Sequence, residues 1–67
     1  MWVLLVFYLM NGAVVETYHF TGPGTPFKTQ AACEEVLLEA AADIARDNGY
    51  VFGKDFTMKC ENRGKVV

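Results

Sequence analysis

The chain has few basic residues, and they are scattered. Six lysines and arginines stand against eight aspartates and glutamates among its 67 residues, giving a formal net charge of −2. A nucleic-acid-binding domain collects positive charge on one face. The loose group of basic residues near the C-terminus is therefore interpreted as a solvated tail, and no direct binding of nucleic acid is expected.

The sequence also has little of the chemistry that catalysis or metal binding needs. His19, Cys33 and Cys60 are too few and too poorly spaced for a zinc site, and the cysteines form no Cys-x-x-Cys redox pair. The motifs of serine hydrolases, zinc proteases and phosphate-binding loops are missing. We expect a protein that is not an enzyme, with no catalytic residue, cofactor or metal ion.

No apolar run is long enough to span a membrane as a helix. Residues 1–10 read MWVLLVFYLM without a charge, whereas a spanning helix needs about 20 such residues. A signal peptide begins with a positively charged region, but no Lys or Arg precedes this run. The run is interpreted as a buried strand of a cytoplasmic protein. A membrane-associated protein anchored by residues 1–10 is the alternative.

The remaining pattern predicts three strands and one helix. Residues 2–10 are rich in aromatic and β-branched side chains, and Asn11-Gly12 is a two-residue hairpin signal, so residues 13–20 form a second strand. Thr29 is a predicted N-cap for a helix over residues 30–47, whose apolar residues recur every three or four positions. Residues 56–61 alternate as a half-buried strand.

These elements predict one small α+β domain over residues 1–67. Both faces of the first strand are apolar, which places that strand in the centre of a sheet. The expected architecture is ββαβ, a three-stranded antiparallel sheet in the order 2-1-3 with the helix on one face. Cys60 then points towards the helix, near Cys33. The two cysteines are either ordinary buried thiols or a disulfide, and the sequence leaves this choice open.

A single helix covers only one face of such a sheet, so apolar side chains of the first strand are expected to remain uncovered. The predicted oligomer interface consists of Trp2, Leu4, Val6 and Tyr8. A homodimer that pairs two sheet faces is the expected partner arrangement. The alternative is that loop residues Pro26, Phe27, Tyr50 and Phe52 fold over this face.

The predicted helix carries a row of acidic residues. They are Glu35, Glu39, Asp43 and Asp47, which follow each other at a spacing of four and therefore project from one helix face. One interpretation is a solvated face that keeps the protein soluble. The functional interpretation is a recognition surface for a protein partner with a basic surface, because complementary charge selects a partner and speeds the encounter.

The layout resembles short open reading frames of phages and prophages. The features that carry the resemblance are W-V-L-L-V-F at residues 2–7, a turn at Gly12, V-V-E-T at residues 14–17, F-K-T-x-x-A-C at residues 27–33 and the late Cys60. Some phage proteins of this size inhibit a host protein by binding it, anti-CRISPR proteins among them. The resemblance implies a binding protein of that type, and a self-associating structural protein is the alternative.

Overall fold

The computed structural model describes residues 1–22 and 24–63. Three antiparallel strands and one helix follow each other as β1 (Trp2–Met10), β2 (Ala13–His19), α1 (Gln30–Asn48) and β3 (Phe56–Asn62). The strand order in the sheet is β2-β1-β3. The predicted α+β fold and the predicted strand order are therefore confirmed.

The β1–β2 hairpin closes on the turn that its sequence predicts. Asn11 and Gly12 have φ values of 54° and 81°, which Asn and Gly adopt more readily than other residues and which a two-residue hairpin turn requires. The pairing register shifts between Tyr8 and Leu9, so β2 carries a β-bulge close to the turn. A bulge increases the local twist of the strand that contains it.

Helix α1 has a defined start and end. The Oγ1 atom of Thr29 accepts a hydrogen bond from the backbone N–H of Ala32 at 3.1 Å. At the other end Gly49 takes a left-handed conformation, with φ at 70°, and its N–H donates to the carbonyl of Ala45 at 2.9 Å. Both caps satisfy backbone groups that the helix itself leaves unpaired.

The core lies between α1 and the even-numbered face of β1. The register pairs Leu4 with Cys60, Val6 with Met58 and Tyr8 with Phe56, so the apolar residues of β1 and β3 share this face. The buried cluster comprises Leu4, Val6, Phe27, Cys33, Phe56 and Met58. Each large apolar side chain buried in this way contributes about 2 kcal/mol relative to an exposed one.

A disulfide joins Cys33, near the start of α1, to Cys60 in β3. The two Cα atoms lie 6.1 Å apart, and Cys33 is fully buried. Of the two interpretations of the cysteines, the disulfide is therefore the correct one. The bond joins α1 to β3.

The predicted oligomer interface of Trp2, Leu4, Val6 and Tyr8 is wrong as an uncovered face. Leu4 and Val6 belong to the buried cluster, and Trp2 and Tyr8 pack against it. The side of β1 turned away from the helix carries the odd-numbered residues instead. We call this side the open sheet face and define it by Val3, Leu5, Phe7 and Leu9.

Within the part of the chain that the structure describes, the loop aromatics do not cover the open sheet face either. Phe27 is part of the buried cluster, and the rings of Tyr50 and Phe52 pack against the ring of Phe56, with centroids 6.5 and 5.3 Å from it. Phe56 lies on the helix side of the sheet. The loop aromatics therefore extend the core around α1 rather than close the opposite face.

Candidate binding surfaces

The acidic helix face is exposed along its whole length. Its members, Glu35, Glu39, Asp43 and Asp47, are all solvent-exposed residues of α1. Arg46 partly neutralises the negative charge at one end of this face, because its guanidinium lies 2.7 Å from Asp43 and 3.4 Å from Asp47. The hydrogen bond to Asp43 and the charge of Asp47 raise the pKa of Arg46 above its ordinary value. These side chains are 60–70% exposed, so the ion pairs add little stability.

The other end of the acidic helix face keeps its charge. Within residues 1–22 and 24–63, no recorded ion pair involves Glu35 or Glu39. Glu34 lies beside them and accepts a hydrogen bond from the side-chain amide of Gln30 at 2.9 Å. The face is therefore most negative in the first half of α1, while its second half is partly neutralised.

Strand β2 is the element that α1 leaves uncovered. The helix packs on β1 and β3, and among the described elements β2 contacts only β1. All seven residues of β2 are solvent-exposed. A groove therefore runs between α1 and β2 on the helix side of the sheet.

Two tyrosines divide this groove, which we call the tyrosine groove. The rings of Tyr8 and Tyr18 meet edge to face, with centroids 5.5 Å apart. On one side of the pair is a hollow of about 400 Å³, and on the other is a hollow of about 480 Å³. The smaller hollow is lined by Val6, Tyr8, Tyr18, His19, Phe20, Thr21, Gly22, Ala40, Asp43 and Ile44. The larger is lined by Tyr8, Leu9, Met10, Val15, Glu16, Tyr18, Asn48, Tyr50 and Asp55.

Tyr18 is held by its neighbour on the same strand. Its hydroxyl donates a hydrogen bond to Oε2 of Glu16 at 2.8 Å. This hydrogen bond, followed by the negative charge of Glu16, raises the pKa of Tyr18 above its ordinary value. The groove presents aromatic rings beside carboxylates.

Asp43 connects the two surfaces. It is a member of the acidic helix face, and it also lines the smaller hollow of the tyrosine groove. Aromatic ring faces attract cations, and a nearby carboxylate adds to that attraction. The arrangement is chemically suited to a basic side chain whose aliphatic part lies against Tyr8 and Tyr18 and whose charge lies near Asp43.

The open sheet face is partly closed by polar side chains. Arg63 contacts His19 at 3.2 Å and Glu61 at 2.9 Å, so its side chain spans from β3 to β2 across β1. Lys59 lies 3.9 Å from Glu61 on the same face. Leu5, which lies between Lys59 and His19 in the sheet, is only 5% exposed. This face is consequently a narrow apolar strip with polar edges.

The sequence patterns predicted the acidic helix face but missed the tyrosine groove. The signal for the groove was weak: Glu16 and Tyr18 alternate on one side of β2, as a strand with a partly exposed face does. The part of the chain that the structure describes contains no group of three or more His, Cys, Asp or Glu suited to a metal ion. Over the same residues, no helix is both long and apolar enough to cross a bilayer.

Comparisons with known proteins add no relative. No family model matches the chain, and searches of curated proteins and of solved structures found no match.

Proposed function

We propose that this chain is a small non-enzymatic binding protein that recognises a basic segment of another protein. The tyrosine groove receives a basic side chain and its apolar neighbours, and the acidic helix face attracts the rest of the segment. The observation that carries the proposal is the position of Asp43, which belongs to both surfaces.

The chemistry of the groove supports a segment that is both basic and apolar. Val6, Phe20 and Ile44 line the smaller hollow with Tyr8 and Tyr18, and such surface favours apolar groups. Asp43 at the same hollow favours a positive charge, for which the ligand competes with Arg46 at 2.7 Å. Asp43, Glu16 and Asp55 would repel a purely acidic ligand, so we expect the groove not to bind one.

Long-range charge supports the same partner. The chain carries a formal net charge of −2, and Glu35 and Glu39 are exposed on α1. An exposed acidic surface increases the association rate of a basic partner and discriminates against acidic ones. Its contribution falls with added salt, because exposed charges are screened.

The resemblance to short phage and prophage proteins suggests a biological setting for this activity. In that setting, the partner is a host protein and the bound chain inhibits it by covering a basic surface. This part of the proposal rests on the resemblance, whereas the binding chemistry rests on the groove.

A titration followed by NMR tests the binding site. The probe is a five-residue peptide of alternating leucine and arginine, acetylated and amidated at its ends. We expect shifts in the amide signals of Tyr8, Tyr18 and Ala40, with weakening as salt is raised. If these signals stay fixed at a peptide concentration of about 1 mM, which detects even millimolar affinity, the groove is not the binding site.

Two charge reversals on α1 separate local binding from overall charge. Asp43→Lys removes the carboxylate from the groove, and we expect it to abolish the shifts. Glu34→Lys changes the net charge equally, but nine positions at about 100° each place it half a turn away from Asp43. Equal loss of binding in both variants would indicate a non-specific charge effect and reject the groove.

A further inference from the structure

Within residues 1–22 and 24–63, strand β2 has an outer backbone edge that pairs with no other strand. The N–H of Phe20 donates to the carbonyl of Leu4 at 2.9 Å, so Phe20 directs its backbone groups towards β1. In an antiparallel pair this direction alternates from residue to residue. The backbone N–H and C=O groups of Thr17 and His19 therefore point away from β1, into solvent.

We propose that this edge pairs with β2 of a second copy of the chain, antiparallel and centred on Thr17. The two Thr17 residues then exchange two backbone hydrogen bonds across a two-fold axis. Glu16 of each copy lies opposite Tyr18 of the other, and His19 lies opposite Val15. The two sheets join into one sheet of six strands in the order β3-β1-β2-β2-β1-β3.

Side-chain chemistry selects this register. Tyr18 donates its hydroxyl to Glu16 at 2.8 Å within one chain. The proposed register places Glu16 of the other copy opposite the same tyrosine, so its one hydroxyl hydrogen can be donated to either carboxylate. A register centred on Glu16 places two carboxylates directly opposite each other, which is unfavourable. A register centred on Tyr18 places the two tyrosines opposite each other, so Glu16 no longer faces the Tyr18 hydroxyl of the second copy.

The composition of β2 favours pairing with another strand. Lysine and proline are common protections of edge strands, and β2, which reads AVVETYH, contains neither. Val14, Val15 and Tyr18 are 50–54% exposed, so pairing would also remove apolar surface from water. The β-bulge near Val15 twists the strand and confines regular pairing to the half of β2 that contains Thr17.

A second copy is a better occupant than an unrelated strand because the edge is complementary to itself. The acceptor Glu16 and the donor Tyr18 lie symmetrically on either side of Thr17, so one two-fold axis satisfies both pairs at once. A pairing of this length buries less than a standard interface, so the dimer is weak and depends on concentration. Glu16 and Tyr18, which take part in the pairing, form one wall of the tyrosine groove, whereas Asp43 lies on α1, away from the paired edge.

One substitution removes the pairing edge without touching the fold. Thr17→Pro deletes an N–H that points into solvent, and edge strands tolerate proline there. Sedimentation equilibrium of the natural sequence from about 10 µM to 1 mM should show a monomer–dimer equilibrium. Thr17→Pro should weaken association by about tenfold or more, since both central hydrogen bonds are lost. Thr17→Ala keeps the N–H and should dimerise like the natural sequence.

The register has its own test. In a mixed sample with one labelled and one unlabelled copy, we expect a nuclear Overhauser contact between the Hα atoms of Glu16 and Tyr18. These residues form a pair without backbone hydrogen bonds, whose Cα atoms are about 4.5 Å apart. A natural sequence that stays monomeric at 1 mM, a Thr17→Pro variant that dimerises unchanged, or intermolecular contacts from another surface would each overturn the proposal. Asp43→Lys should leave the dimer intact, so failure of the groove and failure of the dimer are distinguishable.

Discussion

Cys33 and Cys60 form a disulfide that joins the start of α1 to β3 and closes a loop with a sequence separation of 27 residues. Along the chain, the two cysteines are separated by most of α1 and by the connector between α1 and β3. Cys33 belongs to the buried cluster, and Cys60 lies opposite Leu4 in the sheet register. The main effect of the bond is to restrict the unfolded chain.

Removal of the disulfide should destabilise the domain strongly. In the chain-entropy model a loop of this length accounts for about 3.5 kcal/mol of unfolding free energy. We expect the double variant Cys33→Ala, Cys60→Ala to lose most of that amount in urea unfolding. Reductant should lower the stability of the natural sequence and leave the double variant unchanged. Equal stability of the double variant and the oxidised natural sequence would show that the bond contributes nothing.

The free energy of unfolding should depend strongly on the buried side chain of Phe56 and only weakly on exposed apolar side chains. Phe56 is fully buried, whereas Leu38 on α1 is 70% exposed. Phe56→Ala should cost about 3–5 kcal/mol through lost burial and the cavity left behind. Leu38→Ala, the matched control, should change the free energy of unfolding by less than about 0.5 kcal/mol. Both values come from urea or thermal unfolding, and a similar small effect at both sites would contradict the described core.

A side chain at Gly12 in the hairpin turn should lower stability through backbone conformation alone. Gly12 has φ at 81°, and a Cβ atom built there meets no other atom within 4 Å. Gly12→Ala should therefore cost about 1–2 kcal/mol from the left-handed backbone and nothing from steric contact. At Gly22 the φ is not positive, and an added Cβ would collide with the ring of Phe20. Gly22→Ala combined with Phe20→Leu should recover stability, whereas no second substitution of a neighbour should rescue Gly12→Ala.

The pKa of Tyr18 should depend on Glu16. In the folded protein the hydrogen bond to Glu16 and its negative charge both favour the neutral phenol, so the pKa of Tyr18 is raised. Ionisation removes the donated hydrogen and places two negative charges side by side. Glu16→Gln should therefore lower the pKa of Tyr18 towards its ordinary value of 10.0. A titration that follows the ring carbon of Tyr18 by NMR measures this, and an unchanged pKa in the variant would contradict the assigned cause.

Local patterns predicted the elements well. Asn11-Gly12 and Thr29 each have a backbone role set by their own chemistry, so the hairpin and the start of α1 were within reach of the sequence. The alternation of Phe56, Met58 and Cys60 predicted β3 and its buried side. The strand order followed because β1 is apolar on both faces and therefore central.

The covered face of β1 was not predictable in the same way. Trp2, Leu4, Val6 and Tyr8 are no more apolar than the residues between them, so composition does not distinguish the two faces. The deciding fact is the register that pairs Leu4 with Cys60. A shift of that pairing by one residue would exchange the two faces, and pattern alone does not specify it.

The tyrosine groove escaped prediction because it depends on where α1 lies across the sheet. The helix covers β1 and β3, and the disulfide holds it on the β3 side. The sequence shows that a helix covers one face, but not that β2 would be left outside it. Tyr8 and Tyr18 become neighbours through the register of the hairpin, and Asp43 joins them only through the position of α1.

The attachment of β2 at the edge of the sheet has a consequence for how the molecule opens. The helix and β3 are joined covalently, whereas β2 is held by one ladder of backbone hydrogen bonds to β1 and by exposed side-chain contacts such as that of His19 with Arg63. Partial unfolding should begin there, so local opening of β2 requires less free energy than opening of the rest. Among the four described elements, the strand that offers an edge to another molecule is thus the one that a protease would reach first.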